Sequence, residues 1–173
     1  MPGIDQTSAA DLPLAGCRVV ECSHSVAAAY AGKLLAAMGA QVLMLEPPGG
    51  SPLRQAPPWL DGSEGSDGRG ESALFAYLAV GKRSAVCDAA TDEGRQRLLR
   101  ELETADILID DMPVAERGPC GLDSAVLAVR FPDLVHVSVL PFGASGPKAH
   151  WRAEEVNLLH AGGEGFLIPN GLS

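Results

Sequence analysis

The chain has 173 residues, 46% hydrophobic and 20% charged, the composition of a soluble globular protein. A chain of this length buries about 70% of the surface its unfolded form exposes, so one domain needs no disulfide or metal staple. Thirteen basic against 22 acidic residues give a net charge of −9. With no Lys/Arg-rich run, that balance excludes nucleic acid as the expected partner. No apolar run approaches the roughly 20 residues of a membrane helix. Residues 1–13 carry Asp5 and Asp11 and no basic residue, so they do not read as a signal peptide. A cytoplasmic protein with free thiols is expected. Cys17, Cys22, Cys87 and Cys120 form no C-x-x-C pair. Cys17 and Cys22 bracket one apparent strand and point to opposite faces of it.

Residues 17–22 (Cys-Arg-Val-Val-Glu-Cys) read as the first strand. Ser23-His24-Ser25 breaks it, and Ala- and Leu-rich residues 26–38 read as a helix, with Ser25 as N-cap and Gly39 beyond its end. Residues 41–46 are a second strand. Their apolar run suits burial on both faces of a parallel sheet. Residues 47–72 hold five Pro, six Gly and four Ser without periodicity. A loop this long is either functional or disordered without its ligand. Residues 73–80 read as a short helix and 84–87 as a strand. Thr91 then caps a helix running to about Glu103, with Asp92 and Glu93 at its positive end. Residues 106–110 are a strand. Residues 122–129 are a helix capped by Asp123 or Ser124, residues 134–140 a strand, and residues 154–160 begin a last helix. The alternation predicts an α/β fold, a Rossmann-like doubly wound and mostly parallel sheet, apparently truncated. Residues 1–13 are expected to be a flexible tail, and residues 14–173 part of a larger domain.

Such a sheet binds ligands beyond the carboxyl ends of its strands. Three segments leave strands there. The turn Ser23-His24-Ser25, with Val26 opening the helix, offers hydroxyls and N–H groups that suit a phosphate, or it is a simple N-cap. No G-x-G-x-x-G accompanies it, which disfavours a dinucleotide site. Asp110-Asp111 suit a metal or proton transfer, or they are solvated acids or caps. Phe142-Gly143-Ala144-Ser145-Gly146-Pro147 is a tight turn whose glycines let backbone approach a ligand, or an ordinary loop. Gly162-Gly163-Glu164-Gly165 adds a second flexible stretch. Ser51, Arg54, Lys82 and Arg83 are the groups best placed for phosphate, although Lys82 and Arg83 also read as a solvated pair. His24, His136, His150 and His160 lack metal-ligand spacing and read as structural or exposed, and no metal is expected.

Together these segments resemble the N-terminal portion of the family III CoA-transferases, the superfamily of formyl-CoA transferase and acyl-CoA racemases. Residues 14–21 resemble its opening L-x-G-h-R-V-h-D/E, where h is hydrophobic. Residues 36–50 resemble A-D-L-G-A-D-V-I-K-V-E-x-P-G-G. Residues 81–88 resemble N-K-R-S-V-x-L-D, residues 105–111 resemble A-D-V-L-I-E-N, and residues 142–147 resemble G-F-G-x-x-G-P without its first Gly. Five segments in the right order, over residues 13–165, are a specific match.

The resemblance implies coenzyme A as a substrate, bound at the strand edge by residues among Ser23, His24, Ser25, Val26, Arg54, Lys82, Arg83, Asp111, Gly143 and Gly146. It implies acyl-CoA and carboxylic acid substrates and a homodimer interlocked as rings. It implies transfer of CoA by a catalytic aspartate that attacks the thioester, giving a mixed anhydride and then an enzyme–CoA thioester. Glu155 matches a functional-looking family position on the first turn of the last helix, or it and Glu154 are first-turn acids that stabilise that helix. The family's aspartate lies in a Gly-Asp segment expected beyond Ser173, so this chain lacks the nucleophile. Other departures are Met44 for the family's Lys, Pro47 after Glu46, Asp111 for Asn, Met112-Pro113-Val114-Ala115 for F-R-P-G, and Ala27-Ala28-Ala29-Tyr30 for A-G-P-Y. Arg152-Ala153-Glu154-Glu155 stands where racemases have A-G-H-D, and the missing histidine argues against a racemase. The alternatives are an acyl-CoA racemase relative, a non-catalytic CoA- or acyl-CoA-binding domain, and a subunit completed by a second chain.

Overall fold

The computed structural model of the protein describes residues 11–60 and 70–167. Five strands form one parallel sheet among them: β1 (Arg18–Cys22), β2 (Gln41–Glu46), β3 (Arg83–Val86), β4 (Ile107–Asp110) and β5 (Val135–Ser138). Their spatial order is β3-β2-β1-β4-β5. The chain therefore builds outward from β1 in one direction, then crosses back and builds in the other. The registers pair Cys22 with Asp110 and Asp110 with Ser138, so these strand ends form one row.

The described residues form seven helices: α1 (Val26–Ala37), α2 (Ala73–Ala79), α3 (Asp92–Leu102), α4 (Val114–Cys120), α5 (Ser124–Arg130), α6 (Glu155–Ala161) and α7 (Glu164–Leu167). No helix among the described residues is long and apolar enough to cross a membrane. Successive side chains of a strand face opposite ways, and the two cores divide accordingly. Val19, Val42 and Ile109 pack with Ala28 of α1 on one face. Val20, Leu45 and Leu108 pack with Leu98 and Leu102 of α3 and Leu127 of α5 on the other. Both faces are covered, which is why the central strands read as unbroken apolar runs. Cys17 joins the first core and Cys22 the second, opposite as the period requires. All four cysteines are free.

The capping expectations hold. Ser25, Thr91 and Asp123 each accept from first-turn N–H groups, and Gly39 takes φ +99° just past α1. Two elements depart from the sequence reading. Residues 114–120 carry Gly118 and Pro119, poor helix formers, yet form α4. Tertiary contact decides there, because buried Arg117 is tied to Asp110 at 2.9 Å. α7 likewise forms across a glycine-rich stretch. In the long loop, residues 61–69 lie outside the described residues, but its beginning is ordered. Ser51 caps a 3-10 turn, Pro52–Gln55, whose Leu53 packs under Leu78 of α2. Ser72 donates to the Ala56 carbonyl at 2.5 Å and caps α2. Of the expected tail, residues 1–10 lie outside the described residues. Leu14 is bound through its N–H to the Met38 carbonyl at 2.9 Å and packs against the α1 core.

Gly32 lets α1 approach β1, because a Cβ there would overlap the Glu21 carboxylate. Gly32→Ala should therefore destabilise despite alanine's better helix propensity. The expected cost of such overpacking is about 1–3 kcal/mol, read as a fall of several degrees in Tm; an unchanged or raised Tm would mean that the strand end can give way.

Candidate functional site

Three carboxylates are buried where strands reach their carboxyl edge. Glu21, Glu46 and Asp110 are only 1%, 4% and 0% exposed. Each has recruited a cation. Glu21 accepts from Lys82 Nζ at 2.7 Å and from Ser23 Oγ at 2.6 Å, and Lys82 also donates to the Ala29 carbonyl at 2.7 Å. Burial pushes the Glu21 carboxyl above its ordinary pKa, opposed by hydrogen bonds from Lys82 and Ser23. Glu46 accepts Arg54 through two bonds, Nε at 2.7 Å and Nη2 at 2.8 Å. The Ser51 N–H and the Ser84 hydroxyl also donate to it. The Arg54 bonds hold the Glu46 carboxyl down at about 2, against the opposing effect of burial. Asp110 accepts from Arg117 Nη2 at 2.9 Å, the Met112 N–H at 3.0 Å and Ser138 Oγ at 3.3 Å, and pairs with His136 Nε2 at 2.5 Å.

These pairs change the reading of the expected phosphate groups. The Lys82 side chain is fully buried on Glu21, not a solvated cation. Arg54 is partly exposed but engaged by Glu46 and stacked 4.0 Å above the Phe75 ring. At residues 23–26, the His24 N–H meets Asp111 at 2.8 and 3.0 Å, and the Ser25 N–H meets it at 2.5 Å. A carboxylate of the chain thus occupies the place where a phosphate was expected. Val26 is exposed there. Arg83 is exposed but opens β3, the edge strand opposite β5. Four strand spacings, about 19 Å, separate it from the loop holding Gly143 and Gly146. Those two glycines are exposed at φ +80° and +89°. Glu155 is exposed on the first turn of α6, where Glu154 is the N-cap.

Sequence reasoning missed a cavity of about 350 Å³ lined by Phe142, Lys148, Trp151, Arg152, Asn157 and His160. Phe142 and Trp151 meet edge to face, centroids 5.9 Å apart. Lys148 Nζ lies 5.6 Å from one ring centre and 5.2 Å from the other. The Arg152 side chain is 93% exposed. The available signal was Lys148, Trp151, Arg152 and His160 clustered in an acidic chain. It was obscured because only the α6 turn brings His160 back beside Trp151.

The family model described as CoA-transferase family III matches residues 14–167. The chain belongs to that family. It is 39% identical over 140 residues to the succinate–glutarate CoA-transferase of Agrobacterium fabrum, covering 79% of this chain and 34% of that protein. It is 36% identical over 129 residues to the succinyl-CoA:mesaconate CoA-transferase of Haloarcula hispanica, covering 73% and 31%. The crystal structure of a CAIB/BAIF family protein from Brucella suis superposes with a TM-score of 0.78 at 32% identity, covering 88% of this chain and 39% of that one. The chain thus spans about a third of the length of the curated relatives it matches.

The Glu46–Arg54 pair gives a pH signature. A carboxyl held at about 2, below its ordinary 4.5, contributes stability that is complete above the ordinary value and lost as pH falls toward 2. The difference in unfolding midpoint between the native chain and Glu46→Gln should shrink between pH 5 and pH 2.5. It should also be smaller at high salt, because Arg54 is 42% exposed. A difference independent of pH would show that the pair does not carry it.

Proposed function

We propose that the protein of which this chain is part moves CoA between carboxylic acids, and that this chain supplies the coenzyme-binding portion. The observation that carries the reading is the aromatic and cationic cavity beside residues 143–147. Coenzyme A joins an adenine ring to several phosphates, and a chain of net charge −9 must present local positive groups to hold it. Trp151 and Phe142 offer ring surface for the base. Lys148 and Arg152 offer charge-assisted contacts to the phosphates. The turn at Gly143 and Gly146 leads from the cavity toward the strand ends, where backbone can pass close to the thioester arm. Ser23, Ser25 and Val26 border that arm at the end of β1, two strands in from β5, and Glu155 orients it. The substrates are an acyl-CoA and a carboxylic acid, and CoA is a substrate, with no metal in the reaction. The working form is a cytoplasmic homodimer.

Catalysis in this reading is covalent. A carboxylate attacks the thioester carbon and expels CoA thiolate, which then attacks the anhydride to leave CoA on the enzyme and release the first acid. The acceptor carboxylate takes the acyl position and CoA by the same steps in reverse. The sequence contains no Gly-Asp pair, the setting in which that nucleophile is expected. The 173-residue chain alone is therefore expected to bind CoA and to transfer none. Chromatography of succinyl-CoA incubated with a second acid checks this, and exchange at enzymatic rates would place the nucleophile within these residues.

Binding tests the cavity directly. Arg152→Glu and Trp151→Ala should each weaken CoA binding measured by calorimetry, Arg152→Glu by about 1–3 kcal/mol if it removes a charged phosphate contact. Arg83→Ala is the comparison. If Arg83→Ala weakens binding and the two cavity variants do not, the coenzyme lies against β3 instead.

A further inference from the structure

Asp110 stands at the centre of a second arrangement that the coenzyme reading does not use. It is fully buried, and His136, whose side chain is 12% exposed, holds it through Nε2 at 2.5 Å. Ser138 Oγ reaches both Asp110 Oδ2, at 3.3 Å, and the same His136 nitrogen, at 3.5 Å. Carboxylate and hydroxyl therefore share one ring nitrogen. A nucleophilic triad needs them on opposite nitrogens, so Ser138 is not an activated nucleophile. The ionised Asp110 accepts only, which places the hydrogen on Nε2 and leaves Nδ1 as the free ring atom. His136 and Ser138 line a cavity of about 300 Å³ with Ser124, Leu127, Leu134 and Ala144. Ser124 Oγ accepts from Arg117 Nη1 at 3.2 Å. Arginine has no lone pair to offer in return, so the Ser124 hydrogen remains available to a ligand.

We infer that this cavity is a binding site for a small monocarboxylic acid with an apolar body. One carboxyl oxygen accepts from Ser124. The other shares a single proton with His136 Nδ1. Charge supports the assignment. Arg117 already neutralises Asp110, so an imidazolium facing a ligand carboxylate adds no net charge to the buried cluster, whereas an anion without a proton would face a lone pair. Of the remaining walls, Leu127, Ala128, Leu134 and Ala144 carry no side-chain donor, and the Ser138 hydroxyl is turned to Asp110. A second carboxylate held against those walls would find no free donor, which is unfavourable. The volume is at the lower end for ligand pockets and suits a body no larger than a short aliphatic chain or one aromatic ring. The inference stands apart from the coenzyme reading, because it concerns a different cavity and neither needs the other.

Calorimetric titration of the 173-residue chain with benzoate, and separately with succinate, tests it. Benzoate is expected to bind saturably and at least tenfold more tightly than succinate. His136→Asn should weaken benzoate at least tenfold, and Ser124→Ala at least threefold with Tm close to that of the native chain. Ser124 does not touch Asp110, so its variant decides the matter if His136→Asn fails to fold. No saturable binding of benzoate, equal binding of succinate, or unchanged affinity in Ser124→Ala would each overturn the site.

Discussion

The fold depends on neutralising three carboxylates buried at the carboxyl edge of its sheet. An uncompensated charge in that position costs several kcal/mol, so each acid dictates where a distant cation must lie. Glu21 draws Lys82 across the top of α1, and the Lys82 bond to the Ala29 carbonyl fixes that helix against the strand. Glu46 folds the beginning of the long loop back on itself, since Arg54 and the Ser51 N–H both converge on it. Asp110 gathers Arg117, His136 and Ser138, and so binds α4 and β5 to β4. The pairs are poor evidence of large net stability, because desolvation offsets attraction. Their effect is positional: removing any one partner leaves a buried charge, so alternative placements of these segments are excluded.

This use of cations shapes what the site can do. Lys82 and Arg54 looked like phosphate ligands because they stand beside strand ends. They stand there to answer Glu21 and Glu46. A fully buried ammonium bonded to the Glu21 carboxylate and the Ala29 carbonyl is out of a ligand's reach. In the proposed coenzyme reading, an acidic chain that spends these cations internally holds the anionic ligand with others. Among the described residues, Lys148 and Arg152 pair with no buried acid: Arg152 meets the exposed Glu116 at 3.9 Å, and Lys148 lies over the Phe142 and Trp151 rings. Their charge remains available.

Much of the fold was legible because the signals were local. Val19 and Val20, successive residues facing opposite cores, announce a strand covered on both sides. Ser25, Thr91 and Asp123 announce helix starts by side-chain chemistry alone. α4 was not legible, since Gly118 and Pro119 contradict it and its support, the Arg117–Asp110 bond, joins residues on different elements. The site was less legible for the same reason. Nothing near Asp111 in sequence says that its carboxylate will accept from His24 and Ser25, 87 and 86 residues away. Arg83 could be placed beside a strand, but not on the edge opposite residues 143–147, because strand order is a property of the whole chain.

That order, combined with the Asp111 contact, bears on where the proposed coenzyme site lies. In an open α/β sheet the natural crevice lies where the chain reverses direction, here between β1 and β4. The helix start in that crevice ordinarily offers its N–H groups to an anion. In this protein Asp111 takes the N–H groups of His24 and Ser25, and a phosphate brought beside them would meet a carboxylate at close range. His24 and Ser25 are exposed, so salt weakens that repulsion, but at direct contact, well inside a Debye length, it is not abolished. The next strand outward is β5, whose end carries no unpaired acid because Ser138 and His136 turn toward Asp110. Two cavities, the one at Trp151 and the one at Ser124, lie on that side, while a smaller one of about 170 Å³, lined by Cys22, His24 and Asp88, lies at the ends of β1, β2 and β3. The same carboxylate that occupies the reversal point is thus the physical reason for the proposed coenzyme site to lie beyond β5 rather than at the start of α1.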